Sequence, residues 1–320
     1  MAERGIPQFV VLVSTILTIR GLPLIPKECE MLDMTYDLAN DTVVYPAKLA
    51  LDHRYIHTTS YEDMFPPGAP PSSSFYLYTG FFSMTEHQGT HIDAPLHLLK
   101  DAAALEGKHT VDQIPLSNLA GEACVVDMPP AERGNVDYRL TVDDLKAWEA
   151  QNGQFHENCV VILRTGNGAN WGDWNAYLGL NGTVQFDENG FAMQLHWPGL
   201  EPDTAEWLVN NRGLRAFGAD VISIDAGISK LGGKSVHTVI LGANRPGIEN
   251  LAQVDKLPPR GATIFVMPMK LRRGSGAPAR VFAVGWRPDD PCRLSAATVN
   301  GLGVNALIVA AVSLMIAVIN

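Results

Sequence analysis

The hydrophobic positions of this chain change period several times, and each change marks an element. Leu32, Met34, Tyr36 and Leu38 alternate with polar neighbours, the period of a half-buried strand between 31 and 45. Residues 75–84 are aromatic and strand-like, while 122–128 and 158–164 are short apolar runs that read as buried strands. Between those runs, 141–151 has helical spacing and opens on Thr141 with Asp144, a pair that can cap reciprocally. His109 precedes Thr110 and Asp112, which predict a helical turn with His109 in a structural role. A second helix opens over 200–208 with acids in its first turn, followed by Ala216-Phe217-Gly218 and an expected strand at 220–224. Residues 263–271 form an apolar strand that Pro268 assigns to a sheet edge. After the turn Arg272-Arg273-Gly274-Ser275-Gly276, residues 280–284 return as the second arm of a closing hairpin. The sum is a mixed α/β chain.

The stretches between elements are less regular. Residues 46–74 hold His53, His57 and the run Pro66-Pro67-Gly68-Ala69-Pro70-Pro71, which excludes regular structure and fits either a lid or a solvated connection. Residues 166–189 are rich in Gly and Asn and carry Trp171, Trp174 and Tyr177. They read as a surface segment near a pocket, its aromatics stacking on a substrate ring or packing within the loop.

Both ends are apolar. Arg4 precedes an apolar run at 9–19, so residues 1–26 read as a signal peptide, with a retained apolar arm as the alternative. Residues 306–319 are apolar apart from Ser313 and follow the small residues Ser295-Ala296-Ala297 and a spacer at 298–305. That layout, over 295–320, is the signal for a glycosylphosphatidylinositol (GPI) anchor, with a membrane-retained tail as the alternative. The expectation is a catalytic domain over 27–294, secreted or at the cell surface and attached to the membrane through the tail.

A chain of 320 residues, 46% hydrophobic and 18% charged, can bury a large core, and no repeat divides it. Its net charge of −10 and pI near 5.3 exclude nucleic acid as the expected partner, because phosphate binding needs clustered Lys and Arg. Cys124 and Cys159 lie in strand-like runs and read as buried thiols. Cys29 and Cys292 flank the domain and can pair only if its ends meet. Asn40-Asp41-Thr42 and Asn181-Gly182-Thr183 are glycosylation sequons compatible with secretion.

The chemistry concentrates in His87-Gln88-Gly89-Thr90-His91-Ile92-Asp93-Ala94-Pro95-Leu96-His97. In an extended segment His87, His91, Asp93 and His97 share one face, with Gly89 leaving room between them. A helix would turn Asp93 away and break at Pro95. Imidazole and carboxylate suit divalent zinc or manganese alike, and a set of this size leaves a position open for catalysis. His87, His91 and Asp93 are the candidate ligands, and His97 is left to act as a base on water.

This stretch resembles the H-x-G-T-H-x-D-x-P-x-H signature of the cyclase-type metal hydrolases that include kynurenine formamidase and isatin hydrolase. Met34-Thr35-Tyr36-Asp37-Leu38, His109 to Leu116, Arg164-Thr165-Gly166 and Gly276-Ala277-Pro278-Ala279-Arg280 resemble the family's other landmarks in the family's order. The resemblance implies a swivelling β/β/α fold, a β-barrel-like core with flanking helices, assembled as a homodimer or higher oligomer. It also implies that His237 and Glu249 are further metal ligands and that Asp93 is shared between two metal positions. Asp225 is the expected acceptor that orients a ligand imidazole. The implied reaction is hydrolysis of a small amide, N-formylkynurenine or a cyclic amide such as isatin, as in tryptophan catabolism. Other readings are a dehydratase or cyclase acting on another small carbonyl compound, and a surface-anchored binding protein without turnover.

Overall fold

A computed structural model of the chain describes residues 29–52, 56–59, 80–99, 102–157, 159–229 and 233–293. The signal-like N-terminal run, His53, the proline-rich stretch and the apolar tail with its small-residue triplet lie outside the described residues, as does the side chain of His57.

The apolar runs build a closed barrel. Its strands are β1 (His91–Asp93), β2 (Ala120–Asp127), β3 (Cys159–Arg164), β4 (Ala216–Ala219), β5 (Gly247–Glu249), β6 (Thr263–Pro268) and β7 (Gly276–Val284). They are ordered β7-β6-β2-β3-β4-β5-β1, and β1 pairs back onto β7. Strands β2 to β5 run parallel. The hairpin β6–β7 is antiparallel, and β6 continues antiparallel onto β2. Closure removes the barrel edges, so Pro268 is not on an edge strand as the sequence suggested. It is instead the last residue of β6, opposite Ala279, and its N lies on the β2 side, past the last rung at Phe265↔Ala120 and the bond from Val266 N to the carbonyl of Leu119, so its missing N–H breaks no pairing.

Adjacent residues of the parallel strands β2, β3 and β4 enter different cores. Ile92, Ala123, Val160, Ala216, Ile248, Ile264 and Ala277, one from every strand, are fully buried together and fill the barrel interior. Cys124, Val161, Leu163 and Phe217 point the other way, beneath α1 (Val142–Asn152), α2 (Trp174–Leu178) and α3 (Pro202–Arg212). Both faces of β3 are therefore buried, which is why it reads as a continuous apolar run rather than an alternating one. Thr141 caps α1, accepting from the Asp144 amide while the Asp144 carboxylate accepts from Thr141 N–H. This helix buries Leu145 and Trp148, and Trp148 Nε1 donates to the carbonyl of Val125 at 2.8 Å.

Several expectations are corrected. Only Leu32–Asp33 of the N-terminal alternation is a strand, antiparallel to β7. The strand expected at 220–224 lies earlier, at β4, and the chain leaves the ladder at Asp220. There the buried carboxylate accepts from Thr165 N, Thr165 Oγ1 and Gly166 N, side-chain bonds that replace strand pairing. Cys124 and Cys159 are not free thiols but a disulfide between β2 and β3, with Cα atoms 5.7 Å apart. Cys29 and Cys292 form a second disulfide, so the two ends of the domain meet. The Trp-rich segment is not simply surface: Tyr177 and Leu178 are fully buried, and Trp171 stacks on Tyr36 with ring centroids 3.8 Å apart.

Candidate metal centre

Because Ile92 and Ile248 fill the barrel, their strand neighbours must face outward. The register Glu249↔His91, Ile248↔Ile92, Gly247↔Asp93 therefore puts His91, Asp93 and Glu249 on the outer wall, side by side across β1 and β5. All of them are nonetheless buried, covered by α4 (Val236–Ile240), which carries His237. Ser235 caps that helix, and the Asp225 carboxylate accepts from the amides of Val236 and His237 at its start. Asp225 also holds His237 Nδ1 at 2.9 Å, which turns Nε2 toward Asp93 and Glu249, as the sequence anticipated for an orienting acceptor.

Only His91–Asp93 of the histidine-rich stretch is strand, which corrects the expectation of one extended segment. Gly89 enters with φ +61°, where a Cβ would lie 2.7 Å from Leu38 Cδ2. Beyond Asp93 the chain turns, with His97 N bonded to the carbonyl of Ala94. His87 and His97 thus reach the centre from turns at either end, and their rings stack at 3.8 Å. His87 Nδ1 lies 2.7 Å from Asp93 Oδ1, and its Nε2 lies 2.8 Å from Ser275 Oγ, which in turn donates to Glu86 Oε2 at 2.6 Å. Position 276 must be Gly, since a Cβ there would sit 2.5 Å from His87 Cε1.

All the sequence-predicted residues come together around Asp93. One donor atom each from His91, Asp93 and Glu249 lies within 4.8 Å of the others, and the same holds for His87, Asp93 and His97. His237 Nε2 is 3.2 Å from both Asp93 Oδ2 and Glu249 Oε1. His91 Nε2 is 3.3 Å from Asp93 Oδ1 and from Glu249 Oε2, yet it is buried with no hydrogen-bond partner. Its Nδ1 faces the carbonyl of Gly89 at 2.9 Å, so a neutral ring points its lone pair at two carboxylate oxygens. That arrangement is repulsive unless a proton or cation lies between them. Donors about 2.1 Å from one ion stand roughly 3–3.5 Å apart, so the spacing fits a divalent metal held by His91, Asp93, His237 and Glu249.

The charge balance agrees. Burial works against the Asp93 carboxylate, but His97, His237, His87 and His91 around it outweigh burial and hold it well below the usual range. Burial lowers His91, but its contacts with Asp93 and Glu249 dominate and push it up to about 10, so a proton takes the cation's place. His97 goes the other way: burial, only partly opposed by Asp93, pulls it down to about 4, and its ring is neutral near pH 7.

Sequence reasoning missed Glu86, Ser275 and Asn250, and left Tyr177 between stacking on a substrate and packing within its loop. Ser275 is 188 residues from His87, and no periodicity links positions so far apart. His109 lies to one side, its carbonyl accepting from Leu96 N and its amide donating to Asn244 Oδ1.

A family model described as "Putative cyclase" matches residues 32–226. The isatin hydrolase of Roseibium aggregatum is 30% identical over 268 residues, 82% of this chain and 95% of that protein. The kynurenine formamidase of Erythrobacter litoralis is 26% identical over 204 residues, 63% of this chain and 74% of that protein. Among solved structures, isatin hydrolase A from Ralstonia solanacearum superposes with a TM-score of 0.66 at 31% identity, covering 88% of this chain and 99% of that one.

Proposed function

The chain belongs to the cyclase family of metal-dependent amide hydrolases, and from that premise we propose that it opens the C–N bond of a small aryl amide, a formamide such as N-formylkynurenine or a cyclic amide such as isatin. The observation that carries the reading is the convergence of His91, Asp93, His237 and Glu249, with a neutral His97 beside them. His87, His91, Asp93, His237 and Glu249 are the residues that would hold zinc or manganese, and Asp93, with both oxygens engaged, is suited to be shared. A bound divalent cation supplies polarisation of a carbonyl and lowers the pKa of water from 15.7 towards about 7.

The chain's own residues supply the rest. A ring nitrogen of His97 takes the proton of the attacking water as oxygen bonds to the carbonyl carbon. The same nitrogen returns that proton to the departing amide nitrogen as the C–N bond breaks. Asp225 keeps His237 Nδ1–H engaged and leaves Nε2 facing Asp93. Glu86 fixes Ser275, which fixes His87.

Elemental analysis of the purified protein, with hydrolysis of N-formylkynurenine and isatin measured before and after chelation, tests this. Metal-dependent turnover of either substrate is expected, and metal-free protein would overturn the reading. We also propose an extracellular location. The two disulfides favour an oxidising compartment, and both sequon asparagines, Asn40 and Asn181, are exposed. Protein that stays in the cytosol of eukaryotic cells expressing the full chain would refute it.

A further inference from the structure

The carbonyl of Gly89 accepts from two donors, His91 Nδ1 at 2.9 Å and Asn250 Nδ2 at 2.8 Å. Glycine is the residue least able to hold its own peptide plane, so an outside group must set where this carbonyl points. Asn250 does so from the position just past Glu249, with its backbone in the left-handed region at φ 55°. Every polar group of Asn250 is engaged. Its amide donates to the carbonyl of Val221 at 2.9 Å, its own carbonyl accepts from Thr90 Oγ1 at 2.6 Å, and its Oδ1 accepts from the Tyr177 hydroxyl at 2.8 Å. Both side chains are buried, Asn250 at 1% and Tyr177 at 0% exposure.

The Gly89 carbonyl, which can only accept, decides which way the amide faces, and the Tyr177 hydroxyl holds the amide there from its other end. With that hydroxyl donating to Oδ1, the NH₂ group is left to point at Gly89. The flipped amide would set two oxygens against each other at that distance. In the neutral ring that would ligate a metal, the fixed carbonyl keeps the proton of His91 on Nδ1 and the Nε2 lone pair on the side of Asp93 and Glu249.

We infer that Asn250 and Tyr177 are positioning residues that set the tautomer and aim of His91 through the Gly89 carbonyl. This explains the aromatic segment that the sequence left between substrate stacking and packing: its Tyr177 supports the metal centre from beneath, with Trp171 edge-on to it at 5.3 Å.

The inference rests on the metal-hydrolase reading, and its test separates the two. Tyr177→Phe keeps the ring and removes only the hydroxyl. Asn250→Gly tolerates the left-handed backbone and removes only the amide side chain. The full chain is titrated with Zn²⁺ alone and Mn²⁺ alone in competition with a chelator. The ¹⁵N shifts of His91 are read in the zinc-loaded protein. Each variant is expected to bind metal about 10- to 100-fold more weakly and to lose the single Nδ1–H signature of His91. Wild-type affinity and wild-type His91 shifts in both variants, with only a lower melting temperature, would overturn the inference and leave the metal reading standing. A wild-type chain that binds neither metal would overturn both. Should one variant not fold, the other decides by the same measurements.

Discussion

Glu249 stands directly opposite His91 across the antiparallel pair β1–β5, and its Oε2 lies 3.3 Å from His91 Nε2. Neither atom has a better partner in that direction than an ion placed between them and Asp93. Its other oxygen accepts from the Ile224 amide at 2.8 Å, so the carboxylate is held in place before any metal arrives.

Glu249→Gln keeps this geometry and removes the charge. Metal affinity is expected to fall by at least about 100-fold, more than for loss of an orienting neighbour. Chelator competition measures it, and an affinity within threefold of wild type would exclude Glu249 from the centre.

His97→Ala should lower kcat by about 10²- to 10⁴-fold, the usual contribution of a positioned base, while metal content stays unchanged. The two readouts together assign the role. A variant that loses metal instead would make His97 a ligand, an arrangement compatible with the distances among His87, Asp93 and His97.

The disulfide pairs make a separate prediction. Thiol titration of the unreduced, denatured protein should find none of the cysteines of the described domain free. Cys29 and Cys292 close a loop across 263 residues, so the double variant Cys29→Ser, Cys292→Ser is expected to cost about 2–5 kcal/mol, read as a lower denaturation midpoint.

Stability at low pH should depend on Glu122. Burial raises its carboxyl, but hydrogen bonds from His156 Nε2 at 2.6 Å and Arg260 Nη2 at 2.7 Å outweigh burial and bring it to about 2. A carboxylate lowered on folding stabilises fully above its unfolded pKa of about 4.5, and that stability is lost as pH falls through about 2. The size is on the order of 3 kcal/mol from the shift alone. Urea midpoints measured from pH 6 to pH 2 should fall less steeply in Glu122→Gln than in wild type, and parallel slopes would refute the assignment.

Much of this protein was legible in its local sequence. Residues 158–164 read as a buried strand and Thr141 with Asp144 as the start of a helix, and both elements are present, because propensity and capping act over a few positions. The spacing from His87 to His97 announced metal chemistry, although Gly89 and the turn after Asp93, not a continuous strand, bring those rings together. Its resemblance to a known family supplied His237 and Glu249, which no periodicity connects.

Only the tertiary structure decided which side of the wall the chemistry occupies and what holds it there. Closure of β1 onto β5 and β7 sends Ile92 into the barrel and therefore His91 and Asp93 out of it. The same closure sets Glu249 against His91, Ser275 against His87 and Asn250 against Gly89. It also leaves Cys124 within bonding reach of Cys159. A sequence encodes which residues alternate, but alternation repeats every two positions and is blind to register between strands far apart in the chain. Register is fixed when the barrel interior packs, and the metal centre inherits its geometry from that packing.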